Sequence, residues 1–118
     1  MGRPPSAPSH PLLPVLKETM TALVRSDSTD LSARQLVVLL KVYLEPDMQH
    51  TVRGLAEAMN VSKPAITRAI DRLEADGLAT REVDPTDRRS VILKRTTAGS
   101  AYVRTIGNYL TAASKQKA

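Results

Sequence analysis

Two adjacent arginines form the first group of residues whose chemistry points to a ligand. Residues 84–95 read DPTDRRSVILKR, in which Arg88 and Arg89 lie between an Asp-Pro turn signal and an alternation of apolar residues typical of a β-strand. A buried strand excludes guanidinium groups, so we expect both side chains at an exposed hairpin end. Guanidinium groups bind phosphate oxygens and also enter narrow minor grooves of DNA. Charged side chains are also common at exposed hairpin ends that bind no ligand. The neighbouring elements must therefore indicate whether the two arginines bind a ligand.

A second group follows Ser62 in the stretch SKPAITRAIDRLEAD. Helical spacing directs one set of side chains inward, namely Ile66, Ala69, Ile70 and Leu73. It leaves another set at the N-terminal end or on the outer side, namely Lys63, Pro64, Ala65, Thr67, Arg68 and Arg72. In a major groove Arg68 can bind guanine through two hydrogen bonds, and Thr67 or Ala65 can contact a thymine methyl group.

The elements around this stretch have the spacing of a helix-turn-helix. The pattern predicts helices at Val52–Met59 and Lys63–Asp76, joined by residues 60–62. Each junction has a suitable residue type: Thr51 and Ser62 as N-caps, Asn60 for a left-handed turn, Pro64 in the first turn and Gly77 as the stop. A plain helical hairpin with a solvated outer face has the same spacing and stays open as an alternative.

Two strands are predicted after Gly77, in LATREVD and SVILKR, with Leu78, Val83, Val91 and Leu93 spaced for one buried face. A helix-turn-helix followed by a hairpin is a winged helix. The hairpin, or wing, covers residues 84–90 at its outer end and places Arg88 and Arg89 at its tip, beside the groove that the second helix would fill.

Helices are also predicted near both ends of the chain. Residues 1–11, rich in proline, predict a flexible arm, and a first helix follows over 12–28. LSARQLVVLLKVYLEP predicts the most buried helix, and a last helix is expected over 97–113. The terminal helices present apolar faces that favour a homodimer interface over an intramolecular core; the residues are Leu13, Leu16, Met20, Leu23, Tyr102, Val103, Ile106, Tyr109 and Leu110.

The amino-acid composition limits the classes of function that the chain can have. A chain of 118 residues predicts one domain, and the absence of cysteine excludes disulfides and thiolate chemistry. The net charge is +5, and the last 31 positions carry seven Lys and Arg with no Asp or Glu, which is typical of polyanion binding. With His10 and His50 isolated and no catalytic constellation, we predict no metal, no cofactor and no enzyme activity. Neither a membrane span nor a signal peptide is evident, which predicts a cytoplasmic protein associated with DNA.

The sequence resembles the MarR family of winged-helix transcriptional regulators from about Leu31 to Gly99. The resemblance depends on LAEAMNVSKPAITRAIDRLEADGL, on DPTDRRS and on TTAG at the start of the last helix. It implies a homodimer that binds pseudo-palindromic duplex DNA, with a mainly α fold and a small antiparallel β wing. It also implies contacts at the recognition helix and wing; the matching residues are Ser62, Lys63, Pro64, Ala65, Thr67, Arg68, Asp87, Arg88 and Arg89. In this pattern the carboxylate of Asp87 steers Arg89 into the minor groove and Arg88 contacts phosphate.

Three departures from the family pattern affect these expectations. Thr86 stands where the family often has arginine, and Arg95 stands where it usually has an apolar residue. Only 22 residues follow Thr96, so we expect a reduced dimerisation region. With three aromatic residues there is little material for a pocket, and an effector ligand is not assumed.

Two other functions remain as alternatives. A non-specific architectural protein would bind all duplexes alike with an affinity governed by salt. A winged-helix protein-interaction module would bind no duplex even at low salt.

Overall fold

A computed structural model describes residues 2–6 and 9–115 of the chain. Five helices and two strands follow in the order α1 (Leu13–Arg25), α2 (Ala33–Leu44), α3 (Val52–Met59), α4 (Lys63–Ala75), β1 (Ala79–Asp84), β2 (Asp87–Arg95) and α5 (Thr97–Lys115). The strands form one antiparallel sheet. The predicted mainly α fold with a small β wing is confirmed.

Local capping chemistry fixes the helix-turn-helix. Thr51 accepts a hydrogen bond from the Gly54 N–H and caps α3, and Ser62 caps α4 through the Ala65 N–H at 3.2 Å. Asn60 adopts the left-handed conformation with φ 54°, which an amide side chain tolerates better than most residues. After α4, Gly77 has φ 73° and ends the helix. These predicted caps and turn residues are confirmed.

The wing differs from its predicted form. The strands are joined by a two-residue turn at Pro85 and Thr86, and β2 begins at Asp87 rather than at Ser90. Arg88 and Arg89 therefore lie on the first residues of a strand, not in the tip itself. The predicted inner face is also wrong in part, because Val83 is exposed and Ile92 is buried with Leu93. Val83 pairs with Val91 and lies on the same face as Leu93, but it is nearer the turn than the buried part of that face. A register shift follows between Val83 and Asp84.

Residues 29–105 form one compact unit with an apolar core. Its largest fully buried side chains come from three helices: Val38 and Leu39 of α2, Leu55 of α3, and Ile66, Ile70 and Leu73 of α4. All four residues predicted for the inner face of α4 are buried. Replacing such a Leu or Ile with Ala costs about 2–5 kcal/mol of stability, so the position of α4 is strongly specified.

A polar junction secures the start of α5 within this unit. The Tyr43 hydroxyl donates to the Leu78 carbonyl at 2.7 Å and accepts from the Thr96 N–H at 2.9 Å. A Cβ added at Gly99 would overlap the Tyr43 hydroxyl and the Leu78 carbonyl, so a glycine is required there. Arg95 is exposed, and its Nε donates to the Val42 carbonyl at 3.1 Å.

The second compact unit consists of the terminal segments up to Ser28 and from Ile106 onward. Helix α1 buries Val15, Thr19 and Leu23 at a spacing of four. Of the residues predicted for a dimer interface on this helix, Leu13 and Leu16 are exposed and Met20 is half-buried. Among the described residues no helix is long and apolar enough to span a membrane.

Candidate nucleic-acid interface

The first two turns of α4 present a mostly polar outer face. Ser62, Lys63, Pro64 and Arg68 are exposed, and Thr67 is half-buried. Ala65 requires correction, since it is only 6% exposed and its methyl group cannot reach a thymine. Ala65 lies one helical turn before Ala69, so it belongs to the inner face of α4. Of the three residues predicted for base contacts, Thr67 and Arg68 remain candidates.

Arg72 is held by the protein itself. Its Nε donates to Asp76 Oδ2 at 2.7 Å, and its Nη2 lies 3.4 Å from the Asp30 carbonyl oxygen. Because a paired guanidinium contributes less net charge toward a phosphate than a free one, the predicted DNA contact of Arg72 is weakened. The unpaired cations on the outer side of α4 are Lys63 and Arg68, within the described residues.

Asp87 organises the start of β2. Its Oδ1 accepts a hydrogen bond from the Arg89 N–H at 3.1 Å, and its Oδ2 accepts one from the Ser90 hydroxyl at 3.3 Å. Arg89 Nε lies 3.7 Å from Oδ1, an ion-pair distance too long for a direct hydrogen bond. The Arg89 side chain is 95% exposed, so its guanidinium is accessible to a large anion.

A second carboxylate closes the wing turn. Asp84 Oδ1 accepts from the Thr86 N–H at 2.9 Å and from the Thr86 hydroxyl at 2.7 Å. The hydrogen bond from the Thr86 N–H, followed by that from its hydroxyl, lowers the pKa of Asp84 below the usual aspartate range. Thr86 therefore stabilises the wing turn of this chain. The family pattern showed only that arginine is often found at this position.

A groove brings the wing next to the helix-turn-helix. It is lined by residues from the start of α3, from the start of α4 and from β2, namely Thr51, Val52, Arg53, Lys63, Asp87, Arg89, Ser90 and Val91. Three of these side chains are cationic and one is anionic. Cations that come from separate elements but face one groove are suited to a phosphate backbone.

Sequence reasoning missed Arg53, which is exposed in the first turn of α3. Its position could have been noticed, because the first helix of a helix-turn-helix crosses the DNA backbone. It also missed Arg81 of β1, which pairs with Asp71 and Glu74 of α4. No local pattern reports such a contact between a strand and a helix.

The residues predicted for a dimer interface fall into two groups. Leu13, Leu16 and Leu110 are exposed, and Met20 and Tyr109 are half-buried. Leu23 and Ile106 are buried within the single chain, and Tyr102 and Val103 pack against the core of residues 29–105. Leu23 and Ile106 therefore contribute to packing within one chain. Tyr102 and Val103 are half-buried, and their place in an interface stays a prediction. The Tyr102 hydroxyl donates to the Thr29 carbonyl at 3.0 Å.

His50 is buried and serves the fold. Its Nε2 lies 2.9 Å from the Glu45 carbonyl oxygen, which fixes the proton on that nitrogen, and its own carbonyl accepts from the Leu93 N–H. Residues 2–6 and 9–115 contain no cluster of three His, Cys, Asp or Glu that could hold a metal ion.

Comparison with known proteins identifies the family of this arrangement. The sequence model of the MarR family matches residues 31–91, more than half of the chain, and covers α2, the helix-turn-helix and most of the wing. The chain belongs to the MarR family. Members of this family are DNA-binding transcriptional regulators with a winged helix, and the predicted resemblance is confirmed.

Solved structures give the same fold. The transcriptional regulator Tm0710 from Thermotoga maritima is 28% identical with a TM-score of 0.70, over 83% of this chain and 66% of its own. The transcriptional regulator BldR from Sulfolobus solfataricus is 30% identical with a TM-score of 0.62, over 81% of this chain and 66% of its own.

A mutant of MepR from S. aureus, bound to an oligodeoxyribonucleotide, is 22% identical with a TM-score of 0.75, over 86% of this chain and 72% of its own. This likeness concerns the fold alone. The chain thus spans about two thirds of the length of the Tm0710 and BldR proteins that it matches.

Proposed function

We propose that the chain is a sequence-specific regulator of transcription that binds duplex DNA as a homodimer, without enzymatic activity. In this proposal α4 enters the major groove and the wing lies along the adjacent minor groove. The single observation that carries the proposal is the groove in which Arg53, Lys63 and Arg89 meet from three elements. Membership of the MarR family supports the same assignment.

The contacts divide by chemistry. Arg68 and Thr67 supply base recognition, because a guanidinium can bind guanine O6 and N7 together and a threonine methyl can contact thymine. Lys63 and Arg53 supply phosphate contacts, which set the position of the protein but carry no sequence information. Arg88 and Arg89 reach the backbone or the minor groove from the start of β2.

A second copy of the chain is proposed at the terminal helices. Leu13, Leu16 and Met20 line an open groove with Pro11 and Pro14, and Leu16 is 54% exposed. An exposed apolar strip of this kind is typical of a surface covered by a partner. A symmetric dimer presents the same face twice and would place two recognition helices on half-sites roughly 10 bp apart.

Selection of bound duplexes from a random library tests this function. The proposal expects enrichment of one inverted repeat, bound roughly 10³-fold more tightly than random DNA at physiological salt. Recovery of unrelated duplexes with equal affinity would instead identify an architectural protein. No recovery even at low salt would identify a protein-interaction module.

A further inference from the structure

Arg81 joins the wing to the recognition helix through two carboxylates of α4. Its Nη1 lies 2.8 Å from Asp71 Oδ1, and its Nη2 lies 2.7 Å from Glu74 Oε1. Its Nε also donates to Glu74 Oε1 at 3.1 Å, and its backbone N–H donates to Glu74 Oε2 at 3.2 Å. Glu74 therefore accepts hydrogen bonds from both the backbone and the side chain of Arg81 on β1. We name Asp71, Glu74 and Arg81 the wing clamp.

The clamp lies where apolar packing of the wing ends. Leu78 and Ala79 are buried at the base of β1, and Ile92 and Leu93 are buried on β2. Between residues 82 and 90 no apolar side chain is buried. Just below this outer half, β1 is attached to α4 by the charged hydrogen bonds of Arg81, which fix direction more strictly than apolar contacts do. On the other side of the hairpin, Ile92 of β2 is bridged to Thr51.

Geometry makes this attachment relevant to the wing arginines. Asp84, at the turn, lies three residues beyond Arg81, about 10 Å along the strand. A tilt of about 10° at the clamp would displace the turn by about 2 Å, whereas a productive contact tolerates roughly 0.5 Å. A small loss of restraint at the base is therefore enlarged at Arg88 and Arg89.

We propose that Arg81 is a positioning residue, whose pairing with Asp71 and Glu74 sets the angle between wing and recognition helix so that both grooves are engaged together. This inference rests on the proposed function. Arg81 itself is assigned no DNA contact. The single charge of Arg81 also offsets one of the two negative charges of Asp71 and Glu74 on α4, so charge and position must be separated by experiment.

The direction of the affinity change in one variant, Glu74→Gln, separates the effect of charge from the effect of position. Glu74→Gln removes a negative charge and weakens the clamp, while Glu82→Gln removes a negative charge from the next residue of β1, which makes no side-chain hydrogen bond or ion pair among the described residues. If charge alone matters, both variants bind the selected operator at least as tightly as the unaltered chain. If position matters, Glu74→Gln loses roughly tenfold in affinity and Glu82→Gln loses none.

A combined variant excludes a merely structural effect. In a chain that already carries Arg88→Ala and Arg89→Ala, Glu74→Gln should cost less than about twofold, because the wing contacts it positions are already lost. Arg81→Lys keeps the charge but lacks the planar fork, and it should lose affinity as Glu74→Gln does. Circular dichroism melting of each variant checks that the fold is retained.

Two results would overturn the inference. One is equal affinity of Glu74→Gln and the unaltered chain. The other is an equal loss from Glu74→Gln with and without the two wing arginines, Arg88 and Arg89, which would place the effect outside the wing. Failure of the unaltered chain to bind any duplex contradicts the proposed function itself, and is thereby distinguishable from failure of the clamp alone.

Discussion

Asp87 Oδ1 accepts the backbone N–H of Arg89 at 3.1 Å while Arg89 Nε lies 3.7 Å from the same oxygen. One carboxylate thus fixes the backbone at Arg89 and attracts its guanidinium without a direct hydrogen bond. In the proposed complex, this preorganisation reduces the entropy that Arg89 loses on binding DNA. The opposing effect is electrostatic, since the carboxylate reduces the positive charge of the wing.

The two effects predict opposite signs for Asp87→Ala. We expect operator affinity to fall by roughly threefold to tenfold, because restraint outweighs the gain in charge. Asp87→Asn retains an oxygen for the Arg89 N–H and should lose less, which isolates the ion pair. Arg89→Ala should be worse than either, and the double variant should equal it. Titrations on one operator decide the sign; a rise in affinity for Asp87→Ala would reduce Asp87 to a turn residue.

The recognition helix supplies a second prediction. Arg68→Ala should weaken binding to the preferred operator by roughly 1–3 kcal/mol and affect random DNA much less, because a base contact carries specificity. Lys63→Ala is the matched comparison; it should weaken both duplexes and reduce the dependence of affinity on salt. Binding at several salt concentrations measures both. Equal losses on the two duplexes for Arg68→Ala would reassign Arg68 to the phosphate backbone.

The sequence predicted most of what short-range chemistry controls. Thr51, Asn60, Ser62 and Gly77 act within a few residues of themselves, so their capping and turn roles were readable from type and spacing. The face of α4 was predicted for the same reason. Its one error, Ala65, arose because a small residue at the edge of the apolar face has no strong preference for either side.

What the sequence left undetermined depends on distant partners. The apolar residues of α1 fit two overlapping faces, and the choice of Val15 and Leu23 over Leu13 and Leu16 is made by tertiary packing. Arg81 looked like an ordinary charge in an alternating strand, because its carboxylate partners belong to another element. Val83 shares the face of Leu93 but lies nearer the turn, where no neighbouring element buries it.

Acid should weaken the wing turn. Hydrogen bonds from Thr86 lower the pKa of Asp84 in the folded chain, so its contribution to stability is complete above the unfolded pKa of roughly 4 and is lost as pH falls through the lower folded value. Asp84→Asn keeps an acceptor oxygen but cannot ionise. Urea unfolding from pH 7 to pH 3 should show that the unaltered chain is more stable than Asp84→Asn at neutral pH. The difference between their free energies of unfolding should disappear in acid. If that difference did not change with pH, the effect of Asp84→Asn would come from the shape of the side chain and not from its charge.

The junction at Tyr43 should matter for stability. Tyr43→Phe leaves the Thr96 N–H and the Leu78 carbonyl without their shared hydroxyl, and we expect a loss of about 1–3 kcal/mol in the free energy of unfolding. Tyr109→Phe is the control, because the Tyr109 hydroxyl makes no hydrogen bond among the described residues. Denaturant titration compares the two variants. If both cost the same, the hydroxyl of Tyr43 has no special role.

The terminal helices give the last prediction. Leu16 is 54% exposed on α1 beside Leu13, and we expect this strip to be covered by a second copy of the chain. Leu16→Glu places a charge on that surface and should convert the dimer into a monomer at micromolar concentration, because burial of an unpaired carboxylate is strongly unfavourable.

Leu44→Glu is the matched control, since Leu44 is 66% exposed at the end of α2, outside the proposed interface. Sedimentation gives the mass of each variant, and binding to single and inverted half-sites shows whether cooperativity is lost with the dimer. A monomeric unaltered chain, or an equal effect of both substitutions, would contradict an interface at α1.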